Sequence, residues 1–311
     1  MLAVREATSV PRPSGWTYLP PRRPSVRGHD PRTPRDRRAG LYDDIRHAFR
    51  APVVNWIWRT ATANHPEFTR YLWGQVKPAF GTRAFAEASV AYRDAILSAV
   101  DGPSYRPGEL DVAPAEAREL RGQIAAFDAV APRLATLFEL VDWATNGGDV
   151  GTRVPDDPAA TAPFPDHLDA DRGHAPSMVA VEAVPESAAD TIAAIRSFHG
   201  FDDGLPSVYR CLAQWPDFLT RLWDDLEPEL ASGDFDAAVA DAGAVVDDYV
   251  EGLAYRPALS REAALAAGFD DDTVDDVAEL FATFNGGPVE TVIPALPLLA
   301  DAVGATGARR L

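Results

Sequence analysis

A block of this chain is written twice, 150 residues apart and without a gap. Pro66-Glu67-Phe68 through Leu72-Trp73 to Pro78 returns as Pro216-Asp217-Phe218 through Leu222-Trp223 to Pro228. Phe85 returns as Phe235, Ala88 as Ala238, Gly102 as Gly252, and Tyr105-Arg106-Pro107 as Tyr255-Arg256-Pro257. Two similar units in one polypeptide predict one helical assembly used twice, with a site where the halves meet. At 311 residues, the chain has room for two matched halves of roughly 100–130 residues each.

Within each half the apolar period is helical. Phe68, Leu72 and Val76 stand at i, i+4 and i+8, as do Phe218, Leu222 and Leu226. Pro66 and Pro216 suit a first helical turn, and Pro78 and Pro228 suit an end, because a residue before proline avoids the helical region. An Ala-rich run follows in each half (85–100 and 235–250) and breaks at Gly102 or Gly252, as helix C-termini prefer. A further pair of helices closes each half at Asn146-Gly147-Gly148 and Asn285-Gly286-Gly287. Alternating strand patterns are nearly absent. The expected fold is all-α: two tandem helical repeats forming a pseudo-dimer with a pocket between them. Residues 1–40, rich in Arg and Pro, read as a disordered tail; 41–150 as repeat 1; 151–187, with six prolines, as a connector; and 188–305 as repeat 2.

Charge narrows the function. The net charge is −18. Nine Arg against Glu6, Asp30 and Asp36 put about +6 in residues 1–39, so the remainder stands near −24. Such a body repels phosphate backbones, which argues against nucleic acid as a partner. One Lys, Lys77, stands against 28 Arg, the surface expected of a halophilic protein, where salt screens self-repulsion. No apolar run reaches the length of a membrane span, and no apolar stretch follows the Arg pairs of the N-terminus, so a cytoplasmic protein is expected. Cys211 is the one cysteine and sits beside Leu212 and Ala213, which predicts a buried structural thiol with neither a disulfide nor a thiolate metal site.

Candidate chemistry is sparse. No phosphate-cradling loop, zinc spacing or nucleophile elbow is present, and the six His are scattered. Asp224-Asp225, Asp247-Asp248 and Asp270-Asp271-Asp272 read as solvated faces. Asp202-Asp203, in the loop feeding the second half, could serve as a base if partly desolvated, against the plainer reading of an exposed pair. Trp56 and Trp58 read as core first and pocket lining second. Asn146 ends an apolar helix and doubles as a helix stop.

Tyr42-Asp43-Asp44-Ile45-Arg46 followed by Arg50-Ala51-Pro52-Val53 resembles the opening of the group I 2-haloacid dehalogenases, the DehI family. Arg172-Gly173-His174 with Pro176 and Met178 is similar too, as is Ser207 followed by Arg210, Leu212-Ala213 and Trp215-Pro216. The resemblance covers roughly residues 40–300. It implies an all-helical pseudo-dimer without metal or organic cofactor that hydrolyses 2-halocarboxylic acids of either hand by direct attack of water on the halogen-bearing carbon. A second-half Asp would be the base and a first-half Asn would hold the water. Carried over residue by residue, the Asn falls near Asn146 and the channel-lining pair on Val53 and Trp56. The Ser before the base falls on Ser207, and the base itself on Val208. A valine takes no proton from water, and loss of a general base typically costs about 10²–10⁴-fold. Asp203, with Asp202 behind it, is the nearest substitute. Two readings follow: a dehalogenase using Asn146 and Asp203 on a small 2-halo or short-chain acid, with a homodimer compatible; or a catalytically inactive relative that binds such an acid, or a protein partner.

Overall fold

The computed structural model describes residues 37–153, 158–170 and 173–311. The expected tail, residues 1–40, lies outside the described residues up to position 36. Its last four residues open the first helix, α1 (Arg37–Phe49). The regular structure of the described residues is helical, with no β structure beyond one isolated bridge between Thr82 and Pro163.

The N-terminal half continues with α2 (Trp56–Asn64), α3 (Pro66–Val76), α4 (Arg83–Ala99) and α5 (Pro114–Asn146). The C-terminal half holds α6 (Ala189–His199), α7 (Ser207–Leu212), α8 (Pro216–Leu230), α9 (Gly233–Glu251), α10 (Arg261–Ala266), α11 (Asp271–Asn285), α12 (Pro288–Val292) and α13 (Ala295–Ala302). The local causes follow the chain. Pro66 and Pro216 occupy the first turns of α3 and α8. Thr82 and Ser232 cap α4 and α9, each side-chain oxygen accepting from the amide three residues on, Phe85 and Phe235. The expected apolar stripes are buried: Phe68, Leu72 and Val76 on α3, and Phe218, Leu222 and Leu226 on α8. Where the first half runs one 33-residue helix to Asn146, the second reaches Asn285 through two, with a break at Ala267–Asp270.

The most extensive contact between elements is α4 against α9. Small residues at the buried faces, Ala86 and Ser89 on α4 and Ala238 and Ala242 on α9, let the two backbones approach. Around them Phe85 meets Tyr249 at 5.7 Å between ring centroids. Two tyrosines tie the halves reciprocally. Tyr105 donates to the Asp225 carboxylate, and Tyr255 donates to the Gln75 carbonyl at 2.8 Å. Asp225 stands 150 residues after Gln75, so one bond is the counterpart of the other.

The connector is pinned. Its peptide groups pair with Gly81 and Arg83 at the start of α4, Gly122 on α5 and Arg210 on α7. At Gly173, with φ +82°, an added Cβ would lie 2.7 Å from the Ala126 backbone nitrogen, so only glycine lets the connector lie this close to α5. The N-terminal half also anchors the chain's end. Arg93 on α4 and Asp128 on α5 form a buried ion pair at 2.9 Å. Arg93 also donates to the Ala308 carbonyl at 2.7 Å, and Asp128 accepts from the Gly307 amide at 2.8 Å. Because a buried charge left alone is strongly destabilising, this pair and the C-terminal segment hold each other.

Tyr255→Phe tests the reciprocal tie. Removing its hydroxyl leaves a helix-end carbonyl short of a donor and is expected to lower stability by about 1 kcal/mol, read as a lower urea midpoint at unchanged m-value.

Candidate functional site

The sequence-selected residues fall in two places. The first is a pocket of about 220 Å³ between α5 and α11, lined by Phe138, Val141, Asp142, Thr145 and Asn146 on one side and Ala278, Glu279, Phe281 and Ala282 on the other. Asn146 is at its α5 rim, exposed, with Nδ2 donating to Asp142 Oδ1 at 2.9 Å. Trp56 opens α2 and is 48% exposed rather than core; it stays out because its ring covers Phe284 of α11 at 4.9 Å. Phe284 in turn stacks on Phe138 at 5.7 Å, which carries the aromatic run to the pocket wall. Trp58 is the one of the pair that is core, at 0% exposure against Trp73 and Phe281. Val53 lies half-buried just before α2.

The second place is α7. Ser207 is exposed at its first position, while Val208 is buried. Asp202 and Asp203 are exposed in the preceding loop, which Arg196 Nε fastens through the Gly204 carbonyl. Helix α7 meets α5 near its start, where Cys211 Sγ contacts Gln123 Oε1 at 3.1 Å and Gln214 Nε2 donates to the same oxygen at 2.9 Å. From Gln123 to Asn146 is 23 residues of continuous helix, roughly 34 Å at 1.5 Å per residue. Ser207 and Val208 stand within one turn of Cys211. One small-molecule site therefore does not hold both Asn146 and Val208.

Each place has a perturbed group that the sequence did not flag. Next in sequence to the lining residue Phe138, though outside the lining itself, Glu139 is half-buried on α5, and its carboxyl is raised above the ordinary value of 4.5, first by burial and then by the charges of Asp247 and Asp142. The polar side chains of Trp143 and Asn285 oppose that shift. Asp247, expected on a solvated face, is half-buried because α9 packs on α5; burial and then Glu251 and Asp248 raise it too. A half-buried carboxyl with an elevated proton affinity beside an Asn amide is a candidate proton acceptor for water. The signal for it lies in the twin Asn-Gly-Gly ends, since Asn285 is the helix stop of the second half.

Around α7 the perturbed group is His199, 3% exposed at the end of α6. Its Nδ1 meets Thr291 Oγ1 and its Nε2 meets Tyr209 OH, both at 2.7 Å. Burial lowers its pKa to about 4. The position 150 residues earlier is Phe49, and the packing is parallel: Phe49 lies 6.0 Å from Trp73 and His199 lies 6.0 Å from Trp223. Cys211 is buried, and burial pushes its thiol up to about 12, which leaves it inert as a nucleophile. Among the described residues no group of three or more His, Cys, Asp or Glu could hold a metal ion, and no helix is long and apolar enough to cross a membrane.

Residues 52–186 match the family model described as halocarboxylic acid dehydrogenase DehI. An (R)-2-haloacid dehalogenase of Rhizobium sp. (strain NHG3) is 27% identical over 195 residues, 60% of this chain and 72% of that protein. One from Pseudomonas putida is 24% identical over 256 residues, 79% of this chain and 82% of that protein. Among solved structures, a D-2-haloacid dehalogenase in complex with L-LA superposes with a TM-score of 0.72 at 20% identity, over 86% of this chain and 93% of that one. A mutant of such an enzyme with D-2-CPA gives 0.70 at 20% identity, over 86% and 91%. The structural likeness shows the all-helical fold, and the resemblance to the DehI family read from the sequence holds.

Two measurements test the perturbed groups. Folding favours protonated Glu139, so its contribution is full below about pH 4 and is lost as pH rises through its elevated folded value. Glu139→Gln is therefore expected to raise the Tm at pH 7–8, with the gain vanishing towards pH 4. His199 runs the other way. The unfolded chain takes up its proton near pH 6.5 and the folded one only near 4. Stability present above pH 6.5 is thus lost as pH falls to 4, by up to roughly 3 kcal/mol. His199→Phe, copying Phe49, is expected to flatten that acid limb in urea titrations.

Proposed function

We propose that this chain is a hydrolase of the 2-haloacid dehalogenase type, acting on short 2-halocarboxylic acids in the α5–α11 pocket. The observation that carries the reading is sequence likeness to two (R)-2-haloacid dehalogenases, one of them over 79% of this chain. Water attacks the halogen-bearing carbon as the carbon–halogen bond breaks. Halide leaves with the bonding pair, a base takes the proton, and a 2-hydroxy acid results. The step balances without a redox partner.

Glu139 is the proposed base, with Asn285 beside it to hold the water and Trp56 and Phe138 as the apolar wall. Asp142 and Glu279, on the pocket lining, repel a carboxylate substrate, and salt screens that repulsion. The reading therefore includes a salt-adapted cytoplasmic protein whose KM falls as salt rises. The acidic body and the ratio of 28 Arg to one Lys support it, and the same acidity argues against nucleic acid as a partner. Duplication of one helical unit explains the 150-residue offset. Because both halves are in one chain, a homodimer is compatible but not required for the pocket.

A second reading, a relative that binds a short carboxylic acid without turnover, is favoured by Val208, buried on α7 where the resemblance puts the base. Halide release from both enantiomers of 2-chloropropionate in molar KCl separates the two. The first reading expects release by the wild type, reduced about 10²-fold or more in Glu139→Gln. Thermal stabilisation by 2-chloropropionate with no release above a heat-killed control establishes the second.

A further inference from the structure

Two guanidinium groups are enclosed in the N-terminal half with part of their hydrogen-bonding capacity unused. Arg93 is 1% exposed and Arg133 0%. Arg93 spends Nε on Asp128 and Nη1 on the Ala308 carbonyl, and its Nη2 is buried without a partner. Arg133 spends Nη1 on Asp169 Oδ2, at 3.1 Å, and on the Ala129 carbonyl. Its Nε and Nη2 are both buried without a partner. Three N–H-bearing nitrogens on two neighbouring cations are thus shut away from solvent and protein acceptors alike. Buried donors are seldom left so, because an unmade bond to a charged group is costly.

The surroundings add positive charge. Arg93 and Arg50 both press on the charge of Arg133. Arg50 lies 4.7 Å above the Phe164 ring, and Arg133 lies 5.7 Å from the same ring. A second pocket, of about 390 Å³, is lined by Asp169, Gly307, Ala308 and Arg310 among others. Asp169 and the Ala308 carbonyl are the acceptors that hold Arg133 and Arg93, so this pocket adjoins the partners of both guanidinium groups.

We infer that Arg93 and Arg133 hold a small monovalent anion of halide size, enclosed between α4, α5 and the C-terminal segment. Size follows from enclosure: the unused nitrogens have no access to solvent, so the ligand is buried with them and has no room for an organic tail. Charge follows from the partners. Asp128 and Asp169 answer one positive charge each, and Asp166 stands 3.9 Å from Arg50, so the enclosed cations are already matched and leave a place for no more than a single negative charge. The site uses neither Glu139 nor any residue of α7 and does not depend on the proposed hydrolysis.

Crystals of the full chain grown in sodium bromide test it directly. An anomalous peak in contact with Arg93 Nη2 or with Arg133 Nε or Nη2 is expected. Ordered water at those nitrogens with no anomalous peak overturns the inference. In solution, replacing gluconate by chloride at constant ionic strength is expected to raise the Tm along a saturating curve in wild type. In Arg133→Met that rise is expected to disappear. A linear, unsaturable response in wild type counts against the site, and the diffraction readout decides the matter if Arg133→Met does not fold.

Discussion

Everything in this molecule is arranged around the line where α4 meets α9. These helices start at Arg83 and Gly233, 150 residues apart, and their small buried residues set the separation of the two halves. With that contact fixed, Tyr105 reaches Asp225 and Tyr255 reaches Gln75, each half lending a hydroxyl to the other. The same packing determines what the neighbours of α9 experience. Asp247 loses water because α9 lies on α5, and its charge in turn raises Glu139. The perturbed carboxyl at the candidate site is thus a consequence of core packing one helix away.

Helix α5 is the second constraint. Thirty-three residues without a break give it contacts with α4, α7, α9, α11 and α13. It also separates chemistry in space. Its N-terminal part holds Gln123 against α7, its middle holds Asp128 and Arg133 in buried ion pairs, and its C-terminal part forms the pocket wall with Asn146. Placing Asn146 and Val208 in one site treats the two ends of this helix as neighbours.

Much of the fold was legible in the sequence because its causes are local. The stripe of Phe68, Leu72 and Val76, the prolines at 66 and 216 and the glycine stops at 147 and 286 act within a turn or two of themselves. Even the pairing of halves was readable, since α3, α8, α4 and α9 begin at the repeated positions. The candidate site was less so. Asn146 is at the pocket rim and Trp56 is linked to its wall through Phe284 and Phe138, but Glu139 depends on Asp247, more than a hundred residues away, and no spacing rule connects them. The first reading of Trp56, as core, fails because hydrophobicity does not distinguish a ring that is enclosed from one that leans over another ring at the surface. The Arg93–Asp128 pair spans 35 residues and two helices, and only packing brings it together.

The separation of scaffold and chemistry explains how a chain can keep this fold while changing the residue where its resemblance puts a base. Val208 faces a core in which Tyr209, Leu212 and Trp223 are also buried. In that environment an uncharged side chain is favoured, because an isolated carboxylate without donors raises its own pKa or destabilises the fold. A base at that position would need donors arranged to keep it ionised. Two buried polar side chains near it, Tyr209 and His199, are bonded to each other instead. A valine there removes a burial penalty and leaves the α4–α9 line untouched, so selection for folding alone favours it over an acid. The opposite holds at Glu139, where partial exposure and the polar side chains of Trp143 and Asn285 let a carboxylate persist at modest cost. Fold and activity are thus set by different residues of this chain, and α5 is the element that both must share.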